Sequence, residues 1–592
     1  MTIRGAVVSI LLLIAPTAAT AAGLPTFAQR DDGQWTLPAK DTASTRYSAL
    51  AEVTPANAGR LALAFTFKTG VAKGEEAPPL VVGKTMYIVT PYPNTLFALD
   101  LTKAGAPVKW RFDPHPAPAS QGVACCDVVN RGAAYAQGKI VYNTLDGATV
   151  AVDATTGKLV WRTQLGNIAI GETMTMAPLI AKDKVLVGDS GGEFGVRGWL
   201  AALKLADGSI AWKAYSTGPD KDVLIGPGFR PFYPQFRGKD LGATTWGSYA
   251  WKTGGGNAWG WVSYDPDLNL AYYGTGNPGP WNPDQRPGDN EWTAGIFARD
   301  VDSGQARWFY QWSPHDLFDH DGVNENVLLD LDWNGANRKV LVHPDRNGYV
   351  YVLDRTSGQV LSARPYVFIN TSHGVDLATG RLLENPAKRT GAGRTVYDIC
   401  PTASGAKDWE PSAYSPQTGY LYIPHSNLCM DERGYQVSYI PGTPYVGAEV
   451  RQKVGHGGYR GVFTAWDVRG QKVAWEKREF WPVWSGAVVT AGGVVFYGTL
   501  DGRFKALDAR TGKLLWQYRT ESGIVGQPVV YRGPDGHEYV AVLSGIGGWI
   551  GAVVSNHLDP RDKTAALGMS NAIGDLVGRV KRGGALYVFR LR

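Results

Sequence analysis

An eleven-residue pattern returns along this chain, and it leaves few folds open. Asp153-Ala154-Thr155-Thr156-Gly157, ending at Trp161, recurs as Asp300 to Trp308 with Ser303-Gly304, and as Asp508 to Trp516 with Thr511-Gly512. Looser copies end at Trp110, Trp212 and Trp475, and another runs from Leu353 to Leu361. Each reads as a strand, a tight Thr-Gly or Ser-Gly turn, and a second strand carrying a tryptophan that docks. Trp110, Trp161 and Trp212 are 51 residues apart, room for one four-stranded antiparallel blade. A blade has two faces to cover and cannot cover both alone, so radial stacking of the copies is the stable arrangement. Seven copies precede the terminal strand Ala585 to Arg590, which has no turn partner after it. Strands from near the mature N-terminus can pair with it and close the ring, removing the open edge. The expected fold is all-β, an eight-bladed β-propeller with tryptophan-docking repeats, occupying residues 23–592 as one domain. The 74 glycines and 36 prolines in 592 residues suit many short strands and turns.

Residues 1–22 have one basic residue, an apolar run and the small-residue stretch Ala19-Thr20-Ala21. This is the pattern of a cleaved secretory signal, too short for a membrane span. An exported chain without a later span is expected in an oxidising compartment. Of the four cysteines, Cys400 and Cys429 are plausible partners in a structural bridge. The neighbours Cys125 and Cys126 are either two thiols or the ends of a small strained ring, a form of strain usually kept at functional sites. No Cys-x-x-Cys-His run is present, so no covalently attached haem is expected. The net charge of +6 is scattered rather than clustered, which argues against nucleic acid as a partner.

The densest group of ionisable residues is Pro314-His315-Asp316-Leu317-Phe318-Asp319-His320-Asp321-Gly322. Asp319 and Asp321 are two apart, and in a strand such side chains share a face and can converge on a hard cation or a proton. The alternative is an Asx turn in which each carboxylate serves only local backbone. The insertions 219–250 and 371–395 exceed ordinary loop length, and such loops often shape binding sites.

Several stretches together resemble the quinoprotein alcohol dehydrogenases, which use pyrroloquinoline quinone (PQQ). They are Thr45-Arg46-Tyr47-Ser48, the run from Val123 to Gly132, Gly188 to Glu193, Gly274 to Pro278, Asp345-Arg346-Asn347-Gly348, and Ser544 to Trp549. The resemblance extends over nearly the whole mature chain, and the fold it implies is an eight-bladed propeller. PQQ is a flat polyanion, needing two slabs for its faces and cations or amide donors for its edge. The resemblance implies a Cys125–Cys126 disulfide as one slab and Trp259 as the other. It further implies edge contacts from Glu76, Arg131, Thr175, Ser190, Gly191, Gly192, Arg346, Asp408 and Trp484. Arginine suits a carboxylate through paired hydrogen bonds. The chain departs from the pattern at Asn257, where a Ser or Thr contact is common, and at Glu75-Glu76-Ala77, where His-Glu-Gly is usual.

By the same resemblance Glu193, Asn277 and Asp319 are ligands of a cation, Asp319 is the catalytic base, and Arg346 is the cation beside the quinone oxygen. Asp321 separates two versions of this site. Calcium-dependent relatives carry a small uncharged residue there, whereas lanthanide-dependent ones carry Asp, because a trivalent ion gains from a further carboxylate. The expected activity is periplasmic oxidation of methanol or another short primary alcohol, with PQQ, a lanthanide(III) ion, and a separate c-type cytochrome as electron acceptor. The family also suggests a homodimer. The alternatives are a calcium-dependent enzyme for a longer alcohol, and a non-catalytic propeller scaffold. Trp281, Trp549 and the long insertions are candidates for shaping the alcohol pocket.

Overall fold

The computed structural model of the protein describes residues 23–29 and 31–592, so the expected signal peptide at 1–22 lies outside the described residues. Eight four-stranded antiparallel units account for most strands among the described residues. The first consists of Leu80–Val82, Thr85–Val89, Leu96–Asp100 and Val108–Phe112. Blades two to seven lie within 133–164, 179–215, 262–311, 327–365, 413–479 and 488–519. The innermost strands of successive blades touch around much of the ring.

Burial follows from the stacking. Middle strands such as Leu270–Thr275 are buried throughout, because each blade is covered on both faces by its neighbours. Outermost strands such as Leu159–Gln164 are largely exposed, with only Trp161 buried. That tryptophan is the inter-blade dock the repeat predicted. A Cβ built on Gly208, in the next blade's turn, would lie 2.6 Å from the Trp161 ring. The Trp161 indole N–H donates to the carbonyl of Leu205 at 3.1 Å. Trp212 does the same with Gly304 and Val301, Trp308 with Gly358 and Arg355, and Trp475 with Gly512 and Ala509. These turn glycines have positive φ, 72° at Gly304 and Gly512, so the position demands glycine both for backbone conformation and for the indole lying on it.

The eighth blade joins the chain ends. Val529–Arg532, Glu538–Ser544 and Ala585–Leu591 are completed by Leu61–Lys68, paired antiparallel with Leu61 opposite Leu591 and Lys68 opposite Ala585. Tyr47–Ser48 adds a short parallel strand to blade seven. Cys400 and Cys429 form the expected disulfide, which ties the small sheet Thr395–Ile399, Leu428–Gly434 and Ala448–Val454 to the chain leading into blade six. No described helix is long and apolar enough to cross a membrane.

Antiparallel order decides where a site can form. In a four-stranded blade the second and fourth strands end on the same side. Connections from second to third strand, and from the fourth to the next blade, therefore gather at one end of the ring. The Thr-Gly turns lie at the other end.

Candidate active site

The gathered connections line one cavity. Blade-to-blade connections bring Cys125, Cys126 and Arg131, then Thr175, Asn257, Trp259, Asp319, Asp321 and Asp408. Second-to-third-strand connections bring Ser190, Gly191, Gly192, Glu193, Asn277 and Arg346. Glu76 enters just before the first blade, and Trp549 and Leu567 reach in from the long connection inside the eighth. All but one of the site residues expected from sequence share this cavity.

Trp484 is the exception. It does not line the cavity and is fully buried in the apolar cluster that also holds Trp261, Trp409 and Trp549. Trp281 is likewise in that cluster and away from the lining. Neither long insertion reaches the cavity. Segment 219–250 folds into short helices, Asp220–Val223 and Leu241–Thr244, and 371–395 contains the hairpin Ser372–Asp376 and Arg381–Glu384. Val129, Trp409 and Leu567 line the cavity without having been read from sequence.

The two Asp carboxylates do not converge by strand alternation. Residues 312–326 form no strand, and Asp319 has φ 67°, in the left-handed region. The Asx-turn role falls to Asp316, whose Oδ2 accepts the N–H groups of Phe318 and His320 at 3.2 and 3.1 Å. Asp321 Oδ1 accepts the backbone N–H of Asn277, and its Oδ2 accepts the Trp259 indole N–H at 3.1 Å. Arg346 stands among three carboxylates. Its Nη1 donates to the Asp319 carbonyl at 2.8 Å and lies 3.4 Å from Asp319 Oδ2. Its Nη2 lies 3.2 Å from Asp321 Oδ2 and donates to Asp408 Oδ1.

Burial and charge set the proton affinities. Burial, then the neighbouring Asp321, push the Asp319 carboxyl well above the usual range, against the pull of Arg346. Burial pushes Asp321 up to about 7, opposed by Arg346 and reinforced by Glu193. Burial opposes the charge on Arg346, but Asp408, Asp321 and Asp319 together raise its pKa. Glu76 is pushed up to about 8 by burial, with Arg131 opposing. Arg131 Nε lies 3.1 Å from Glu76 Oε2 without hydrogen-bond alignment. Arg131 Nη1 donates to Thr175 Oγ1 at 2.7 Å, and that hydroxyl is 2.9 Å from Ser190 Oγ.

Two guanidinium groups approach the Trp259 indole, Arg131 at 4.7 Å and Arg346 at 5.3 Å from its ring centre. Cys125 and Cys126 are half-buried, with sulfurs 2.8 Å apart and no bond joining them in this structure, where the resemblance implied a disulfide. Cys126 and Asp127 both have positive φ, 64° and 77°, whereas the strained ring considered for the cysteine pair is absent because the two are not bonded.

Six buried polar atoms on the cavity wall lack a hydrogen-bond partner: Glu76 Oε2, Arg131 Nε, Asn257 Oδ1, Asp319 Oδ1, Arg346 Nε and Trp409 Nε1. Buried polar groups are nearly always satisfied, so this concentration fits a wall built around a polar, charged ligand. Guanidinium and hydroxyl donors beside an exposed indole face suit PQQ. Glu193, Asn277, Asp319 and Asp321 offer only oxygen, the donor set of a hard cation. Their three carboxylates do not all lie within 4.8 Å of one another, and Arg346 is the counter-charge of Asp319 and Asp321 in this arrangement. Among the described residues the tight group is Asp398, Cys400, Cys429 and His456. Its sulfurs are bonded to each other, which removes them as metal ligands.

Known proteins are similar to this chain in fold and sequence. The family described as "PQQ: Glucose/ethanol/alcohol dehydrogenase, beta-propeller domain" matches residues 35–364 and 469–540. The lanthanide-dependent methanol dehydrogenase of Methylacidiphilum fumariolicum (strain SolV) is 50% identical over 572 residues, covering 95% of this chain and 93% of that protein. Methanol dehydrogenase [cytochrome c] subunit 1 of Methylorubrum extorquens is 42% identical, covering 95% of this chain and 91% of that one. The solved structure of a europium-containing methanol dehydrogenase superposes with a TM-score of 0.94 at 49% identity, covering 95% of this chain and 99% of that one.

Proposed function

The chain belongs to the PQQ-dependent alcohol dehydrogenase family, and from that premise we propose that it oxidises methanol or another short primary alcohol to the aldehyde with PQQ and a lanthanide(III) ion. The observation that carries the metal choice is Asp321. It lines the same cavity as Glu193, Asn277 and Asp319, and three carboxylates around one ion leave less uncompensated repulsion when that ion is trivalent. The 50% identity to a lanthanide-dependent methanol dehydrogenase supports the same reading. Calcium with a longer alcohol is the alternative. A non-catalytic scaffold is not favoured, because it has no use for a buried cluster of acids and unpartnered polar atoms.

When bound, PQQ supplies the quinone that accepts hydride and the metal ion supplies the Lewis acid that polarises it. The chain's residues do the rest. Glu193, Asn277, Asp319 and Asp321 hold the cation. Arg131, Thr175, Ser190 and the backbone at Gly191 and Gly192 meet the anionic edge, with Glu76 and Asp408 beside them. Trp259 and the Cys125–Cys126 pair would offer surfaces for the flat ring system. Asp319 Oδ1 has no partner and takes the alcohol's hydroxyl proton, while Arg346 fixes the other side of the same residue. Trp549 and Leu567 add apolar lining to the cavity.

A separate c-type cytochrome would take up the electrons, a reading supported by the absence of a haem-attachment motif in the sequence and by the 42% identity to methanol dehydrogenase [cytochrome c] subunit 1. The mature protein is periplasmic and homodimeric in this proposal, exported by the leader at 1–22. Elemental analysis of protein produced with calcium alone and with a light lanthanide, joined to a dye-linked methanol assay, tests metal and activity together. Full activity with calcium and none gained with the lanthanide would overturn the metal assignment.

A further inference from the structure

Asp316 is buried two residues inside the loop that begins at Pro314, and nothing in the proposed chemistry uses it. Its Oδ2 accepts the N–H of Phe318 at 3.2 Å and of His320 at 3.1 Å, the two amides on either side of Asp319. Asp319 itself has φ 67°, in the left-handed region that carries a conformational cost for residues with a Cβ. The backbone is held from two further directions. Arg346 Nη1 donates to the Asp319 carbonyl at 2.8 Å. The fully buried Arg286 donates from Nη2 to the Asp316 carbonyl, from Nη1 to Asn290 Oδ1 at 2.8 Å and from Nε to the Pro280 carbonyl at 2.6 Å.

We propose that Asp316 is a positioning residue: by accepting the two flanking amides it locks Asp319, which lines the cavity, in its left-handed conformation. The inference rests on the reading of Asp319 as the base. Acceptor geometry, rather than charge, is what the role requires. An asparagine at 316 keeps one oxygen for both amides, whereas alanine removes it and glutamate displaces it by one methylene.

The test uses the full chain loaded with PQQ and lanthanide, comparing Asp316→Asn, Asp316→Ala and Asp316→Glu with wild type. The expected result for Ala and Glu is a kcat lower by about 10- to 100-fold, the scale of a misplaced catalytic group, with KM within about threefold and metal and quinone contents unchanged. Asp316→Asn should recover most of that loss. Hydrogen exchange of the peptide spanning 314–322, read without any assay of activity, should be faster in Ala and Glu than in wild type and Asn. Should Asp316→Ala fail to fold, the contrast between Glu and Asn decides. Wild-type kcat and wild-type exchange in Asp316→Glu, or an Asp316→Asn as slow as Asp316→Glu, would overturn the proposal. Asp319→Asn is assayed alongside. Full turnover in that variant sinks the base assignment, while the exchange data still judge whether Asp316 holds the loop.

Discussion

Arg346 grips Asp319 at two points, donating from Nη1 to its carbonyl at 2.8 Å while the same nitrogen lies 3.4 Å from carboxylate Oδ2. The proposed base and its backbone are thus referred to one fixed cation, which is itself held by Asp408 and Asp321. A planar fork can serve all these acceptors at once. A point charge cannot.

Arg346→Lys should therefore lower kcat by roughly 10- to 100-fold, although charge is conserved, because one ammonium cannot span the acceptors that position Asp319. Steady-state methanol oxidation at matched metal and PQQ content checks this. A turnover equal to wild type would show that only the charge matters.

Asp319→Asn keeps the shape of the side chain and removes its basicity. Turnover should fall about 100-fold or more, the usual scale for a positioned general base. Metal content is measured on the same samples, since Asp319 also belongs to the proposed ligand set. Full occupancy with near-normal turnover would remove Asp319 from the role.

Asp321→Ala removes one carboxylate and leaves Glu193, Asn277 and Asp319. Lanthanide-supported methanol oxidation should drop much further than PQQ binding, and the fold should persist because the ring is held by its stacked blades. If calcium is the native ion, calcium-supported turnover should stay level or rise as repulsion between acids is relieved. Equal lanthanide-dependent rates in variant and wild type would reduce Asp321 to a hydrogen-bond acceptor for Trp259 and Asn277.

Glu75, neighbour to the cavity residue Glu76, offers a test by pH. It is fully buried, its Oε1 accepts the Thr69 hydroxyl at 2.6 Å, and its Oε2 has no partner. Burial raises its carboxyl from 4.5 to about 8, the Thr69 hydroxyl opposing. A folded pKa above the unfolded one means that its stabilising contribution is complete below about pH 4.5 and is lost as pH rises toward about 8. Glu75→Gln, neutral throughout, should thus lose less Tm between pH 5 and 8 than wild type, by about 2 °C or more. An equal or steeper fall in the variant would count against a buried neutral Glu75.

The propeller was legible because its grammar is local. A turn glycine and a tryptophan eight residues after the Asp recur, and the indole of one blade lies on the glycine of the next. Motif resemblance likewise pointed to most of the residues that now share a cavity, since each sits in a connection with its own signature. Trp484 was included by that resemblance but does not line the cavity, because its indole packs inward with Trp409 and Trp549. Leu567 escaped because it reaches the cavity from a tail connection without a motif, placed there by Ala566 and Leu567 both at positive φ, 52° and 51°. Strand alternation was the wrong reason for expecting Asp319 and Asp321 to converge. A left-handed residue within a loop leaves no period in the sequence.

The eighth blade has a consequence for how the molecule is made. Its outermost strand, Leu61–Lys68, pairs with Ala585–Leu591, so the ring is clasped by residues from opposite ends of the chain. No nascent or partly exported chain can complete that clasp. Most blades can form from local contacts as they emerge, but the last must wait for the final strand, with the long loop-closure such pairing entails. Glu76 immediately precedes blade one, and Trp549 and Leu567 are carried by blade eight. The cavity therefore acquires its full wall only at the moment of closure, and cofactor loading should report on completed synthesis of the chain.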